Sequence, residues 1–444
     1  MWIVCSVAVL LLLVSLPYWL PARVTALRMW LFARINGPDG IPVPGPLVSV
    51  EEYRAVYAHP AADGRSKGAA LSDLFWYWLS PGAHLHQEHL EPGPRYDEVA
   101  RTTRRILAMR HADTADLMAK ILDRVAWRET GLVRLRDLAM PVWAEYAHEL
   151  VFGRPCTPGA RDLIVAHATD VVDALKCTRL RHMDRRDALT RYVVAHLAQC
   201  PHPRPDGFTD LEFALYLQGV FFTTTVVQMS DATAHLGMAL AAHPDVQERL
   251  AAEPDGPLMG YVLEETMRLY PLFGIAHRIT GADIRVNART TIPAGSVLCF
   301  SYPEYHRAGF PSPDAFRPER WATLSTRDAH HIPFGITANR PCPARGVAPT
   351  ALRAVLRRML HTWELATSAG HTRSLPSRGP VLLSPRGAPV SAWRRRGALT
   401  WLRVRDRWED VWRSVVQLVL GTYMVRDARR QALCRRHFAS TVRG

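Results

Sequence analysis

The sequence predicts a mainly α-helical protein with a distinct helix at each end, and three patterns support this prediction. The first is an almost uninterrupted apolar run over residues 2–20, which carries no charge and is long enough to cross a bilayer as a helix. The second is the stretch 261–271, an amphipathic segment that a proline ends. The third is a set of apolar residues between Trp401 and Val419 that recur at helical spacing.

The composition indicates an ordinary folded protein in a reducing compartment. Of the 444 residues, 48% are hydrophobic and 22% are charged, which argues against a disordered or collagen-like chain. The seven cysteines are odd in number and scattered, and they include no C-x-x-C pair. Their arrangement therefore argues against a disulfide framework or a zinc ribbon.

The basic charge is concentrated at the carboxyl end. Residues 391–444 contain thirteen arginines and four acidic residues, a net charge of +9 out of +14 for the whole chain. No recognisable DNA fold or aromatic-basic module accompanies this charge, so we expect no nucleic-acid partner.

The amino-terminal apolar run is predicted to be a transmembrane anchor over residues 1–21, ended by Pro21. No lysine or arginine precedes the run, whereas Arg23, Arg28 and Arg34 follow it. The positive-inside rule then predicts a single-pass protein of the cell membrane whose main domain faces the cytoplasm. A cleaved signal peptide is the alternative, although its basic n-region is missing.

Residues 22–46 are predicted to be a basic, proline-rich linker. Its prolines should make it a semi-rigid spacer between anchor and body. These prolines are Pro38, Pro42, Pro44 and Pro46.

The extension 391–444 is predicted to form a basic amphipathic helix. Tryptophans and valines share one face, with arginines between them. Such a helix suits the surface of an anionic membrane, or it could equally dock on the body of the protein.

Four motifs between these ends occur in a characteristic order. Glu265 and Arg268 lie three residues apart on the 261–271 helix, so they share one face. The segments that follow are IPAG (292–295), HRAGFPSPDAFRPERW (306–321) and PFGITANRPCPARG (333–346), before an apolar helical run near Val347. Their order and spacing resemble the cytochrome P-450 family.

The resemblance implies the cytochrome P-450 fold, mainly α with small β-sheets (α+β), for a domain over residues 47–390. It also implies heme b (iron-protoporphyrin IX) as the cofactor. The family's E-x-x-R pair and the arginine of its P-E-R-[FW] segment form a buried triad, here Glu265, Arg268 and Arg320. A carboxylate shared by two guanidinium groups is structural, because loss of one member leaves uncompensated buried charge.

Cys342 matches the family's iron ligand, within the pattern F-x-x-G-x-R-x-C-x-G. Arg340 matches the arginine, whereas Ala338 and Ala344 replace the two glycines. Phe334 lies eight residues before Cys342 instead of seven, so either one residue is inserted or Gly335 holds the phenylalanine position. An electron-rich thiolate ligand favours cleavage of the O–O bond.

The resemblance also assigns cations to the heme propionates. Arg340 and Arg278 are the first two candidates. The arginine-bearing helix C matches the run 101–105, in which Arg104 or Arg105 supplies a third cation.

The family's proton relay is missing from this sequence. The motif [AG]-G-x-[DE]-T normally precedes an H-P dipeptide by about sixteen residues, and its acid and alcohol relay protons. Counting back from His243-Pro244 places Val227 at the acid and Gln228 at the alcohol. Gln228 forms hydrogen bonds but does not titrate. The candidate distal residues are therefore Gln228, Thr225 and Thr224.

An apolar pocket is expected to bind the substrate. The residues predicted to line it are Phe221, Phe222, Leu272, Phe273 and Ile275. A loop over 74–90, with His84, His86 and His89, should line the same pocket, and zinc binding is the alternative for its histidines.

These observations predict a heme-thiolate monooxygenase that hydroxylates or epoxidises an apolar or aromatic small molecule of secondary metabolism. An acidic ferredoxin or another electron donor would dock on arginines near Cys342. Two alternatives stay open because the relay is missing. One is a P-450-fold dehydratase, isomerase or peroxygenase, and the other is a non-catalytic heme-binding membrane scaffold.

Overall fold

Helices dominate the structure, a computed structural model that describes residues 2–37, 40–67, 69–125, 127–388 and 390–441. Pro38 of the predicted linker lies outside these residues. In chain order the helices are α1 (Trp2–Asn36), α2 (Val50–Ala58), α3 (Ala70–Leu79), α4 (Pro94–Ile106), α5 (His111–Val125), α6 (Leu135–Phe152), α7 (Pro158–Leu175), α8 (Met183–His196), α9 (Asp210–Leu217), α10 (Val226–Ala242), α11 (Pro244–Ala252), α12 (Leu258–Leu269), α13 (Tyr302–Arg307), α14 (Ala348–Thr362), α15 (Ala392–Gln431) and α16 (Leu433–Thr441).

Strands form three small sheets. They are β1 (Ile41–Val43), β2 (Gly131–Arg134), β3 (Ile275–Ile279), β4 (Ile284–Arg285), β5 (Thr291–Ile292), β6 (Val297–Ser301), β7 (Trp363–Ala366) and β8 (Pro380–Pro385). In the first sheet β6 pairs in parallel with β1 and antiparallel with β3. The others are the antiparallel sheet β2-β8-β7 and the pair β4-β5. The prediction of a mainly α fold with small β-sheets is confirmed.

Helix α9 continues without interruption into a π-helical segment, Gln218–Thr225, and then into α10. A capping box starts this long helix, because Thr209 and Glu212 each accept a hydrogen bond from the backbone N–H of the other. Within the π-helical segment the hydroxyls of Thr224 and Thr225 donate to carbonyls five residues earlier. These side-chain bonds help to satisfy the carbonyls that the wider turn leaves poorly paired.

The main core surrounds this long helix. Trp143 of α6 is fully buried and donates from Nε1 to Thr233 Oγ1 at 3.0 Å. Phe221 and Phe222 are also fully buried in the same core. A tryptophan and two phenylalanines buried this completely contribute several kcal/mol of hydrophobic stabilisation in total, and they fix the helix in one position.

The predicted end of the anchor helix at Pro21 is wrong. The helix continues past Pro21 to Asn36, so residues 22–36 of the predicted linker are helical. A proline removes one backbone donor from a helix, and packing of the following turns can offset that loss. Val24 is buried, and Phe32 packs so closely on α15 that a Cβ at Gly421 would lie 2.8 Å from its ring.

Helix α15 is longer than its sequence pattern indicates, at 40 residues. One of its faces packs on α1 and on α3, where Met424, Val425 and Ala428 are fully buried. The docking alternative for the carboxyl-terminal helix therefore holds for this face. Its opposite face is exposed to solvent.

Candidate active site

The loop that carries Cys342 is a short hairpin between α13 and α14. The backbone N–H of Cys342 donates to Phe334 O at 2.9 Å, and Ile336 pairs with Asn339 as an isolated bridge. Thr337 and Ala338 form the exposed tip of the hairpin. A hairpin tip tolerates one more residue than the family pattern has, and Phe334 still packs against the main core.

The Cys342 thiol is half-buried at the start of a helical turn. Burial raises its pKa to about 11, although the nearby backbone N–H groups of Ala344 and Arg345 act in the opposite direction. The thiol is therefore protonated in the free chain. A bound metal ion would deprotonate it, and the two N–H donors would then stabilise the thiolate.

Three buried arginines from separate segments converge near this loop: Arg65, Arg278 and Arg340. Arg278 of β3 donates to the carbonyls of Tyr57 and Ala62 at 3.3 and 3.2 Å. Burial lowers the pKa of both Arg278 and Arg340, and the charge of Arg65 lowers both further.

Arg340 lies in the left-handed backbone region at φ +48° and forms an ion pair with Asp63. It also donates to Leu90 O at 2.6 Å, and its guanidinium stacks 3.8 Å above the Tyr96 ring. Each of the three arginines keeps one buried N–H group with no hydrogen-bond partner among the described residues. Such donors are costly to bury unpaired and are suited to an anionic ligand.

Glu88 faces the three arginines. It lies 3.5 Å from Arg65, with its side chain 41% exposed. Burial alone would raise the pKa of its carboxyl group, but Arg65, His86, Arg278 and Arg340 outweigh that effect and hold the pKa below its usual range. Two carboxylates, Glu88 and Asp63, therefore compensate three guanidinium groups, and one positive charge is left over.

Arg65 and Glu88 were not predicted from the sequence. A Cβ at Gly64 would lie 2.7 Å from Ile279 O, so only glycine allows the backbone to approach β3 this closely. That approach sets Arg65 beside Arg278. Gly64 preceding an arginine was the only local signal, and it does not reveal a strand more than 200 residues away.

Arg104 and Arg105 lie on the solvent face of α4, where both are exposed. The structure does not bring either of them to the arginine cluster. Buried Ala100 and Thr103 of the same helix face inward instead.

Glu265 is the centre of a buried ion-pair cluster. Arg268 donates to both of its oxygens at 2.9 Å, and Arg320 Nε lies 3.2 Å from Oε1. The Trp321 indole and the Arg317 backbone N–H also donate to the carboxylate, at 3.0 and 2.9 Å. All the lone pairs of this fully buried carboxylate are thereby satisfied.

The long helix presents one half-exposed stripe in an otherwise buried stretch. From residue 213 to 241 every residue is buried except those of this stripe. They are Gly219, Thr224, Thr225, Gln228 and Asp231. The stripe includes all three predicted distal residues.

Thr224 has a partner that the motif comparison missed, namely His86. His86 Nε2 lies 2.8 Å from Thr224 Oγ1, and Glu88 N–H donates to His86 Nδ1 at 3.2 Å. Since Nδ1 accepts that bond, Nε2 carries the proton and donates to Thr224. Thr224 in turn donates to Gly219 O at 2.9 Å. Burial lowers the pKa of His86, so the ring is neutral near pH 7.

Asp231 is occupied by two cations. It forms an ion pair with Arg136 of α6, and Lys176 Nζ lies 2.9 Å from its Oδ2. Burial would raise the pKa of the carboxyl group, but Arg136 and Lys176 lower it to about 2. This carboxylate stays ionised and is a poor proton donor at neutral pH.

The predicted pocket residues do not come together. Phe221 and Phe222 lie in the main core, Leu272 lines a narrow cavity between α10, α12 and α14, and Phe273 and Ile275 are exposed. Leu74 to Leu79, predicted as loop, belong to α3. Among the described residues no cluster of three or more His, Cys, Asp or Glu side chains could hold a metal ion.

Cys342 and the three buried arginines fit a heme group. The Cys342 thiol is partly exposed at the start of a helical turn, and the three arginines with spare buried N–H groups suit two propionates. The fold and this donor set together define a heme-thiolate class of protein.

Comparisons with known proteins agree with this class. The family model for cytochrome P-450 matches residues 167–390, half of the chain. The cyclooctat-9-en-7-ol 5-monooxygenase of Streptomyces melanosporofaciens is 27% identical over 49% of this chain and 50% of its own length. The mitochondrial cytochrome P-450 11B3 of Rattus norvegicus is 33% identical over 35% of this chain and 34% of its own length. The chain belongs to the cytochrome P-450 family, whose members bind heme b.

Solved structures show the same fold. A six-coordinated cytochrome P-450 from Thermus thermophilus aligns with a TM-score of 0.57 at 20% identity, over 76% of this chain and 89% of that one. Cytochrome P-450EX alpha with myristic acid aligns with a TM-score of 0.62 at 15% identity, over 76% and 88%. The sequence matches to the curated relatives span half of their length or less.

Proposed function

We propose that this protein is a heme-thiolate monooxygenase that inserts one oxygen atom into an apolar small molecule. The observation that carries the proposal is Cys342, a partly exposed thiol at the start of a helical turn, beside three buried arginines. When bound, a heme with a thiolate ligand supplies reductive activation of dioxygen.

The arginine cluster has the role of anchoring the propionates. Arg65, Arg278 and Arg340 would turn their spare N–H groups to these carboxylates, and Arg340 stays oriented by Leu90 O and the Tyr96 ring. Charge-assisted bonds of this kind are about twice as strong as neutral ones. They hold the cofactor in one orientation against Cys342.

His86 and Thr224 have the role of proton donors, on the side of the site that the half-exposed stripe of the long helix forms. The Thr224 hydroxyl lies on the half-exposed stripe, and His86 Nε2 donates a hydrogen bond to it. The backbone N–H of Glu88 donates to His86 Nδ1 and fixes the ring in this orientation. Because the stripe is partly open to solvent, water would return the proton that Thr224 gives up. This pair offers a substitute for the acid and alcohol that Val227 and Gln228 do not supply.

The substrate class is proposed from similar proteins. The name of one relative specifies a monooxygenase of cyclooctat-9-en-7-ol, and one similar structure contains myristic acid. Both molecules are mainly hydrocarbon. A secondary metabolite of similar character is the substrate that we propose here.

Electrons would come from an acidic ferredoxin that docks near the Cys342 loop. Arg345 and Arg353 are exposed there and form no ion pair with any residue that the structure describes. Arg357 and Arg358 are already paired, with Asp255 and Asp123. The first two arginines therefore provide most of the charge that is free to steer an acidic partner.

The membrane location is part of the same proposal. Within the described residues one helix, Cys5–Asn36, is long and apolar enough to cross a membrane, and no residue of its most apolar part is buried in the protein. We place the domain on the cytoplasmic side because the arginines of α1 follow the apolar segment.

The carbon monoxide difference spectrum of the reduced protein tests the ligand. The wild type should show the red-shifted band of a thiolate-ligated heme, and Cys342→Ala should lose it. Cys156→Ala is the matched control, a half-buried cysteine away from the loop that should keep the band. Persistence of the band in Cys342→Ala would refute the assignment.

Catalysis needs a second measurement. Reductant should be consumed in proportion to an oxygenated product when candidate hydrocarbons are supplied. An intact band without any turnover, with reductant or with peroxide, would instead favour the scaffold alternative.

A further inference from the structure

Helix α15 carries a second apolar face that packs on nothing in the described chain. Its residues recur every three or four positions, and each is at least 38% exposed. They are Trp401, Val404, Trp408, Trp412, Val415, Val419 and Tyr423. At 1.5 Å per residue the stripe is about 33 Å long.

This stripe lies opposite the face by which α15 docks. Leu402, Gly421, Met424 and Ala428 are buried against the protein, and they lie about half a turn away from the exposed stripe. A surface helix of a soluble protein normally needs only one apolar face. The exposed tryptophans are therefore not required for packing in the fold.

Arginines without ion pairs lie at the amino-terminal end of α15, on several sides of the helix. Arg394, Arg395, Arg396 and Arg403 are exposed, and none forms an ion pair with a residue in the described ranges. The segment 391–444 as a whole carries a net charge of +9. This surface therefore complements an anionic partner that also offers an apolar interior.

Helix α1 relates this surface to the proposed anchor. Arg407 of α15 donates to Tyr18 Oη at 2.7 Å, so the two helices first meet near the end of the apolar segment of α1. Residues 5–14 before that contact are all exposed. Because α15 runs beside α1 from Tyr18 to Asn36, the stripe reaches the membrane surface when α1 bends between its apolar segment and this contact, and Pro17 and Pro21 lie at that junction.

We propose that the exposed stripe of α15 binds in the interfacial layer of an anionic lipid membrane. Tryptophan and tyrosine rings favour the headgroup region, and nearby arginines are attracted to an anionic leaflet. A second copy of the chain is a weaker occupant, because two such helices would bring their excess positive charge together. This inference goes beyond the proposed function and does not depend on heme.

A spin label on the full chain tests the proposal apart from the anchor. The label is introduced at Trp412 as a non-canonical residue, and a control label replaces Val194, an exposed apolar site on α8. The protein is reconstituted into vesicles of phosphatidylcholine alone and of phosphatidylcholine with phosphatidylglycerol. We expect label 412 to gain access to oxygen and to lose access to a water-soluble nickel chelate, most strongly with the anionic lipid.

The charge requirement is tested with the quadruple change Arg394→Gln, Arg395→Gln, Arg396→Gln and Arg403→Gln. It should abolish the preference for the anionic vesicles while the label at Val194 stays water-accessible. Label 412 remaining as open to the nickel chelate in both vesicles as in detergent would overturn the proposal. So would a short label-to-label distance between two copies without lipid, since that result assigns the stripe to a dimer.

Discussion

The cysteine side of the site, formed by the Cys342 loop, the arginine cluster and the Glu265 cluster, differs from the helix side, formed by the half-exposed stripe and its partners. On the cysteine side the contacts of the Glu265 cluster join segments that carry recognisable motifs. On the helix side, His86 and Thr224 are 138 residues apart, and no motif links them. Where the family's proton-relay motif is missing, the residues that could replace it come from segments far apart in the sequence.

The two sides also differ in what their charges do. Glu265 and Asp231 are both carboxylates shared by two cations, yet Glu265 is fully buried and Asp231 is half-buried on the stripe. Buried clusters of this kind strongly resist removal of one partner. The comparison therefore predicts a graded set of effects.

The largest effect is expected on the cysteine side, for Glu265→Gln. The change keeps the shape of the side chain but leaves Arg268 and Arg320 without their shared negative charge, so the free energy of unfolding should fall by about 3–5 kcal/mol. Urea denaturation measures it. Glu319→Gln is the control, since its pair with Arg249 is half-exposed on both sides and should contribute less than about 1 kcal/mol. A similarly small loss of unfolding free energy in both variants would mean that the buried Glu265 cluster stabilises the fold no more than an exposed ion pair does.

The next effect is expected on the helix side, for Thr224→Val. The variant removes the hydroxyl that links His86 to the stripe, and loss of a positioned proton donor typically costs about 10²-fold or more in rate. Product formed per reductant should fall as well, while the free energy of unfolding should change by only about 1 kcal/mol.

Thr225→Val provides the matched control for that change. Its hydroxyl donates to Val220 O, at 3.3 Å, and has no histidine partner among the residues that the structure describes. Equal losses of product formed per reductant in the two variants would show that the His86 contact has no special role. A normal yield of product per reductant in His86→Phe would lead to the same conclusion.

The sequence was sufficient for the fold class and for the Glu265, Arg268 and Arg320 contacts, because short motifs in a fixed order carry them. It was insufficient where position depends on tertiary contact. Arg104 and Arg105 are in a suitable helix, but the rotation of α4 turns them to solvent. Arg65 reaches the cluster only through the close approach of Gly64 to β3. Pro21 did not end α1, because packing on α15 stabilises the turns beyond it.

The smallest of the three effects is a pH dependence on the helix side. The pKa of Asp231 is about 2 in the fold against 3.8 for an unperturbed group, because Arg136 and Lys176 outweigh its burial. A depressed folded-state pKa stabilises the fold at pH values above the unfolded pKa. The contribution, about 2–3 kcal/mol, is therefore complete above about pH 4 and is lost as the pH falls towards 2.

Asp231→Asn should accordingly be less stable than the wild type at pH 7, and the difference should shrink between pH 4 and pH 2. Asp162→Asn is the control, because the Asp162 side chain is 80% exposed and its ion pair with Arg161 is long, at 4.0 Å. Denaturation by urea at several pH values gives both curves. A difference that stays constant down to pH 2 would mean that Asp231 stabilises the helix by hydrogen bonding and not by charge. The helix side would then resemble the cysteine side in geometry but not in electrostatics.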